Sequence, residues 1–335
     1  QEKRENNNEE KNRQIAPISW YPGHMAKTRR QIESDIKIVD IVIELLDARI
    51  PISSQNPDIA QIISKKKKIV VLNKGDLADD NKNKQWLEYF QKRGIPAVIT
   101  DSSSGRGIDN CIKEIEKIME EQLLLQANKG RIGRKIRAMV LGIPNVGKSS
   151  FINRISKRTT AGVGNKPGVT KQKQWIRIND KIELLDTPGV LWPKFESQEV
   201  ALNLAFTGTI KEDILQRTEI AYELIKFLLK NYKKKICQRY GITEEYIDNT
   251  LNKEQPENFN IYEIMLEIGR KRGCIISGGN IDEEKTARII LDEFKNGKFS
   301  GLDPVKVFNQ FADMKENLLN IKDLVKQALH HSIYR

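Results

Sequence analysis

The stretch "GIPNVGKSS", residues 142–150, follows the apolar run "IRAMVLG" (136–142) and leads into "SFINRIS", a segment of helical character. Gly142-x-x-x-x-Gly147-Lys148-Ser149 has the spacing of a phosphate-binding loop. Its glycines let backbone N–H groups turn inward around phosphate oxygens, and the following helix presents its positive end. Asn145, Val146, Gly147, Lys148, Ser149 and Ser150 are the residues expected to line the phosphates. Lys148 is placed to reach the β- and γ-phosphates, and Ser149 to ligate Mg²⁺. Well ahead of this loop, "VLNKGD" (71–76) ends another apolar run with Asn73-Lys74-Gly75-Asp76. An Asp carboxylate there accepts from N1–H and N2–H₂ of guanine, a donor pair that adenine lacks. Lys74 can lie along the base, and Asn73 can tie loops together. In most GTP-binding proteins the phosphate loop precedes the base reader; here the order is reversed.

The remaining parts of such a site occupy the expected places in a rotated order. "TDSSSGRG" (100–107) follows a strand-like run, and a backbone N–H near Ser102 or Ser103 is a candidate for guanine O6. "LLDTPG" (184–189) ends a run with Asp186, the expected carboxylate that holds Mg²⁺ through water, and Gly189 can set its N–H against the γ-phosphate. Between phosphate loop and Asp186 lies "TTAGVGNKPGVTKQ" (159–172), in which Thr170 is the candidate to close on Mg²⁺ and the γ-phosphate.

Apolar runs at 39–47, 68–74, 95–100 and 136–142, separated by helix-like stretches including 83–94 and 108–125, indicate an α/β domain with a mainly parallel sheet. Runs 173–178 and 181–186, joined by Asn179-Asp180, read as a hairpin and bring the sheet to six strands. A further helix is expected over 26–38, and 125–137 reads as a basic linker. From about residue 198 helical spacing takes over: Ile261, Ile264, Met265 and Ile268 share one face, as do Ala287, Ile290, Leu291 and Phe294. Both stripes read as core packing. The expected division is a polar disordered tail over 1–17, a GTP-binding domain over 18–197 and an all-α domain over 198–335.

Composition narrows the partners. The 335 residues carry a net charge of +12, with 30% charged and 39% hydrophobic residues. A basic surface attracts polyanions, of which nucleic acid is the commonest in the cytosol; a compositional bias toward Lys, Asn and Ile would give the same number. No run of about 18 apolar residues occurs, so no membrane contact is expected. The N-terminal segment lacks the apolar core of a secretory signal. Cys111, Cys237 and Cys274 are far apart and fit neither a disulfide framework nor a zinc site. A cytoplasmic monomer is expected.

Base reader, O6 loop, phosphate loop, Thr loop and Asp-Thr-Pro-Gly together are the usual GTPase parts cut and rejoined. The chain resembles the circularly permuted GTPases, and most closely the ribosome biogenesis GTPase A (RbgA/YlqF) family. The resemblance rests on "WYPGHMAK" (20–27), "LLDARIP" (45–51), "NKGD", "GIPNVGKSS", "NKPGVT" (165–170), "LLDTPGVLWP" (184–193) and "KTARIILDEFKNGKFS" (285–300), where Ser300 departs from an expected glycine. It covers roughly residues 18–300. It implies a circularly permuted P-loop domain with helices on both faces of the sheet, followed by an all-α, RNA-contacting domain. It also implies GTP/GDP binding, Mg²⁺, and action on the large ribosomal subunit or its precursor, through rRNA and ribosomal proteins.

Hydrolysis poses a problem. Ras-like GTPases position the attacking water with a Gln directly after the Asp-x-x-Gly motif; here Val190 and Leu191 follow, and neither can hydrogen-bond a water. A low intrinsic rate is expected. The resemblance gives the water-positioning role to His24; taken alone, a single His is more often structural. Likeness to K⁺-dependent GTPases makes the Asn145 amide oxygen a candidate K⁺ ligand, the plain alternative being a loop cap. The γ-phosphate-sensing segment after Gly189 runs within a dozen or so residues into the helical domain, where "KNYKKK" (230–235) and "GRKRG" (269–273) are either RNA contacts or solvated helix faces. Two other functions stay open: an RNA-binding scaffold with structural GTP, and a tRNA-modification or signalling GTPase.

Overall fold

Val42, Ile43, Leu45 and Leu46 make β1 (Ile41–Asp47) apolar on both faces, and every one of its residues is buried. A strand of that kind needs layers on both sides, as in a parallel α/β sheet. The computed structural model describes residues 24–63, 66–78, 80–130, 133–157, 175–185, 198–210, 217–254 and 256–299. In chain order these form α1 (His24–Asp35), β1, α2 (Pro57–Ile62), β2 (Lys67–Asn73), α3 (Asp80–Lys92), β3 (Ala97–Ile99), α4 (Ile108–Asn128), β4 (Ile136–Gly142) and α5 (Lys148–Lys157). The hairpin β5 (Trp175–Arg177) and β6 (Ile182–Leu185) follows, then α6 (Gln198–Phe206), α7 (Arg217–Tyr240), α8 (Glu244–Leu251), α9 (Glu257–Lys271) and α10 (Glu283–Lys295).

The sheet has the order β3-β2-β1-β4-β6-β5, and only β5 runs antiparallel to its neighbour. From β1 the chain moves outward to β2 and β3. It then returns to the far side of β1 as β4, so the direction of winding reverses between β1 and β4. Ligands of open α/β sheets bind outside the carboxyl ends of the strands at such a reversal. Asp47, Asn73 and Gly142 end the three central strands there, with Asp47 level with Asn73.

Side chains alternate across the sheet. Ile32 of α1 and Ile59 and Ile63 at α2 pack with Val42, Met139 and Leu141. Ile115 of α4 and Phe151 and Ile155 of α5 join Ile41, Ile43 and Val140 in the main core. The helical domain has its own core, in which Ile264, Met265 and Ile268 of α9 meet Ala287, Ile290 and Leu291 of α10. Both expected stripes are therefore packing faces. Helix α6 belongs to both units, with Ala201 and Leu204 in the sheet core and Phe206 in the helical one. A boundary at 197/198 thus places at the edge of one domain a helix that the two share.

Several elements differ from expectation for local reasons. The stretch 125–137 is only partly a linker, because α4 continues to Asn128 and stops at Gly130, whose φ is +76°. Helix α2 is an addition to the expected elements. It starts at Asn56, whose side chain accepts from the Asp58 and Ile59 N–H groups, with Pro57 in the first turn. An Asn-Pro start is a helix signal that a short element makes easy to overlook. The hairpin turn is held by Asn179 Oδ1, which accepts from the N–H groups of Lys181 and Ile182 at 2.9 and 2.8 Å. No helix of the described residues is long and apolar enough to cross a membrane.

Candidate functional site: a guanine-nucleotide site at the strand ends

Asn73 ends β2 almost fully buried, and its amide joins two loops at once. Nδ2 donates to the Val146 carbonyl of the phosphate loop at 2.9 Å. Oδ1 accepts from the Ser102 hydroxyl at 2.7 Å, and from the Ser102 N–H and the Thr100 hydroxyl, each at 3.2 Å. The Ser102 amide considered for guanine O6 thus lies against Asn73, while the Ser103 N–H donates to Asp101 Oδ1 at 2.8 Å. Arg154 of α5 adds a tie, its Nε donating to the Ser102 carbonyl at 3.0 Å.

Lys74 leaves the strand with φ +59°, and its Nζ donates to the Asn145 carbonyl at 2.7 Å. With Val146 O bound by Asn73, two successive carbonyls of the phosphate loop are held by the base-reading segment. A loop whose carbonyls are engaged on one side is left with its N–H groups for an anion on the other. Gly147 closes this arrangement. Its φ is +94°, and a Cβ there would stand 2.4 Å from Asn73 Nδ2, so a side chain would push the two motifs apart. Helix α5 then starts at Lys148, with Ser149 and Ser150 exposed on its first turn.

Asp76 sits in a short 3-10 turn after Lys74, exposed, on a recess shared with Asp80, Asp101, Ser104 and Arg106. Burial raises the Asp101 carboxyl, but hydrogen bonds from Ser104 and Ser103 and the charge of Arg106 outweigh this and lower it. The Gly75 carbonyl accepts from Asn83 Nδ2 at 3.1 Å, fixing the turn from behind.

The structure thus brings together Asn73, Lys74, Asp76, Ser102, Ser103 and Asn145 to Ser150. Thr170, Asp186 and Gly189 lie outside the described residues, as does the side chain of His24, which opens α1. The structure adds Asp47 and Arg49, to which sequence reasoning assigns no role. Asp47 is 1% exposed and Arg49 5%, and they form a two-pronged ion pair: Arg49 Nε donates to Oδ1 at 2.9 Å and Nη2 to Oδ2 at 2.8 Å. Lys74 Nζ joins them, 3.0 Å from Oδ2. Burial alone would raise the Asp47 carboxyl; the charges of Arg49 and Lys74 and their hydrogen bonds prevail and hold it far below the usual carboxylate range. The available signal is an Asp and an Arg closing an apolar run, since buried charges are paired.

Parts of the basic runs are spent within the domain. Lys233 of "KNYKKK" donates to Asp248 at 2.7 Å. Arg272 of "GRKRG" pairs with Glu293 and lies over the Tyr240 ring. The cysteines fit their packing role: Cys111 and Cys274 are buried, and burial pushes the Cys111 thiol up to about 12.

The chain is similar to known proteins. Residues 137–239 match the family described as 50S ribosome-binding GTPase. Ribosome biogenesis GTPase A of Bacillus cereus is 42% identical over 307 residues, covering 92% of this chain and 99% of that protein. The Priestia megaterium protein of the same name is 44% identical over 282 residues, covering 84% and 94%. Among solved structures, a GDP-bound structure of TM YlqF matches with a TM-score of 0.57 at 26% identity, covering 80% of this chain and 95% of that one. A candidate guanine reader bonded to a candidate phosphate loop that follows it in the chain, and relatives matched over nearly their whole length, lead to one assignment. The chain is a GTPase and belongs to the ribosome biogenesis GTPase A family.

Proposed function

We propose that this protein is a GTP-hydrolysing switch in late assembly of the large (50S) ribosomal subunit, stimulated by the particle or its precursor and acting in the cytoplasm. The names of its relatives support the process. The supporting observation in the structure is a tie between the candidate nucleotide site and the end of the helix that the two units share: Asn145 Nδ2 donates to the Gly208 carbonyl, just after α6, at 2.6 Å. A γ-phosphate-dependent shift of that loop would reach the helical domain through the end of α6, the usual currency of GTPase switches. In this reading the helical domain contacts rRNA through the basic residues that ion pairs leave over, and binding falls steeply with salt.

Mg²⁺ fits the residues at hand. The Ser149 hydroxyl is exposed on the first turn of α5, with no hydrogen-bond partner among the described residues, and an oxygen donor suits a hard cation. Thr170 and, through water, Asp186 are proposed to complete the set. When bound, the ion offsets charge on the β- and γ-phosphate oxygens. Asn145 is proposed to offer Oδ1 to K⁺ while Nδ2 holds Gly208; equal turnover in NaCl and KCl would refute that role. His24 is proposed to position water, and His24→Ala hydrolysing GTP at the wild-type rate beside large subunits would remove it from the mechanism.

The deciding experiment sediments protein bound to a non-hydrolysable GTP analogue through sucrose with large subunits, and measures multiple-turnover hydrolysis with and without them. Co-sedimentation with at least tenfold stimulation is expected. Binding without stimulation would point to a scaffold holding GTP structurally, and a preference for tRNA would overturn the assembly role.

A further inference from the structure

Arg49 uses its planar fork in two directions. Nε and Nη2 grip Asp47, while Nη1 donates to the Lys295 carbonyl at 3.0 Å. Lys295 is the last residue of α10, so this carbonyl lies at the negative end of the helix dipole. On the other side, Asp47 Oδ2 receives Lys74 Nζ, which also holds the Asn145 carbonyl. A continuous run of charge-assisted bonds therefore connects α10 to the phosphate loop: Lys295 O, Arg49, Asp47, Lys74, Asn145 O. A second tie runs nearby, from Asn145 Nδ2 to Gly208 O. The two meet again within the helical domain, because the Lys295 stem lies 2.6 Å from where a Gly208 Cβ would be.

Two features separate this run from an ordinary core ion pair. Among the described residues, Lys74 and Asn145 are the only non-glycine residues with positive φ, +59° and +60°. Such backbone persists where surrounding contacts over-determine it. Moreover, buried ion pairs are weak sources of net stability, and apolar replacements are often as stable. An arginine whose fork fits both a carboxylate and a helix end supplies geometry instead.

We propose that Arg49, acting through Asp47, is a positioning residue for guanine-nucleotide binding, and that it couples the seating of α10 to the hold of Lys74 on the phosphate loop. Coupling of binding energies is reciprocal. A partner that draws the helical domain away from Arg49 therefore loosens Lys74 and weakens nucleotide binding. The full chain carries its own affinity lever, worked through α10. The inference rests on guanine-nucleotide binding alone and is independent of the ribosomal role.

The test titrates fluorescent GDP against wild type, Arg49→Ala, Arg49→Lys, Lys74→Ala and the Arg49→Ala/Lys74→Ala double variant. Amide exchange at the end of α10 is followed with and without GDP. Arg49→Ala is expected to raise Kd at least tenfold, and to change it less than twofold when Lys74 is already Ala. Arg49→Lys keeps a charge on Asp47 but cannot bridge to Lys295 O; it should retain most of the thermal stability and still raise Kd at least threefold. GDP should protect the end of α10 in wild type but not in Arg49→Lys. Additive effects in the double variant, or an Arg49→Lys Kd within twofold of wild type, would overturn the proposal. If Arg49→Ala does not fold, Arg49→Lys decides alone. Tight GDP binding by wild type in the same titration distinguishes failure of this coupling from failure of the GTPase assignment.

Discussion

Replacing Asn73 by Ala removes one amide that joins two loops, and its four contacts allow the loss to be sized. Two are short, the 2.7 Å bond from the Ser102 hydroxyl and the 2.9 Å bond to Val146 O. The other two, at 3.2 Å, share the same acceptor oxygen and add little. Counting the short pair at about 1–1.5 kcal/mol each gives a loss of about 2–3 kcal/mol. If that energy organises the nucleotide site, it appears in binding: at about 1.4 kcal/mol per tenfold, GDP affinity falls by about 30- to 150-fold. If it only braces the fold, it appears as a Tm lowered by about 4–12 °C with affinity intact. Titration with a fluorescent GDP analogue, paired with thermal unfolding with and without GDP, separates the two. Asn73→Asp sharpens the comparison, because it keeps the acceptor for Ser102 but sets an oxygen against the Val146 carbonyl; its affinity should fall as well. A folded Asn73→Ala protein whose GDP Kd stays within threefold of wild type would refute the claim that Asn73 joins base reader to phosphate loop.

Gly147→Ala brings a Cβ to 2.4 Å from Asn73 Nδ2 at a φ of +94°, and should weaken GDP binding at least 100-fold while unfolding experiments show a loss of only about 1–3 kcal/mol. The Asp47 carboxyl titrates lower in the folded protein than its usual value near about 4, so the unfolded chain binds more protons between the two pKa values. Its contribution is thus complete above about pH 5 and fades as pH falls through about 4 and below. Asp47→Asn should therefore cost about 3–5 kcal/mol at pH 7, and its deficit against wild type should shrink as unfolding is measured from pH 5 to pH 3. With Cys111 and Cys274 buried and Cys237 half-buried, an aromatic disulfide reagent should label a single thiol in the native protein and all three in denaturant.

Much of this molecule is legible before folding, because the informative signals are local. A strand, a glycine loop and a helix start lie within a few residues around Lys148, and the apolar runs that form β1, β2 and β4 announce strands buried on both faces. The two helical stripes at Ile261–Ile268 and Ala287–Phe294 read as core and are core. Elements whose limits depend on neighbours are less legible. The run expected over 95–100 pairs only along Ala97–Ile99, and α6 cannot be assigned to one domain from its own residues, since two partners share its apolar positions. The basic runs of the helical domain illustrate the same limit: charge is visible in sequence, but whether Lys233 faces solvent or Asp248 is a matter of packing.

The sequence by itself determined the family and the candidate chemistry: the motifs proposed as guanine reader and phosphate loop and the reversal of their order, each carried by residue types at fixed spacing. Tertiary structure alone decided how the parts are joined. Asn73 and Val146, or Arg49 and Lys295, lie far apart in the chain, and no periodicity links them. Asn73 and Val146 meet because parallel strands bring their carboxyl ends to one edge, and Arg49 meets Lys295 because the C-terminal end of α10 packs against that edge; in both places buried polar groups must find partners. The chain order made the site recognisable, and the packing tied it to the helical domain.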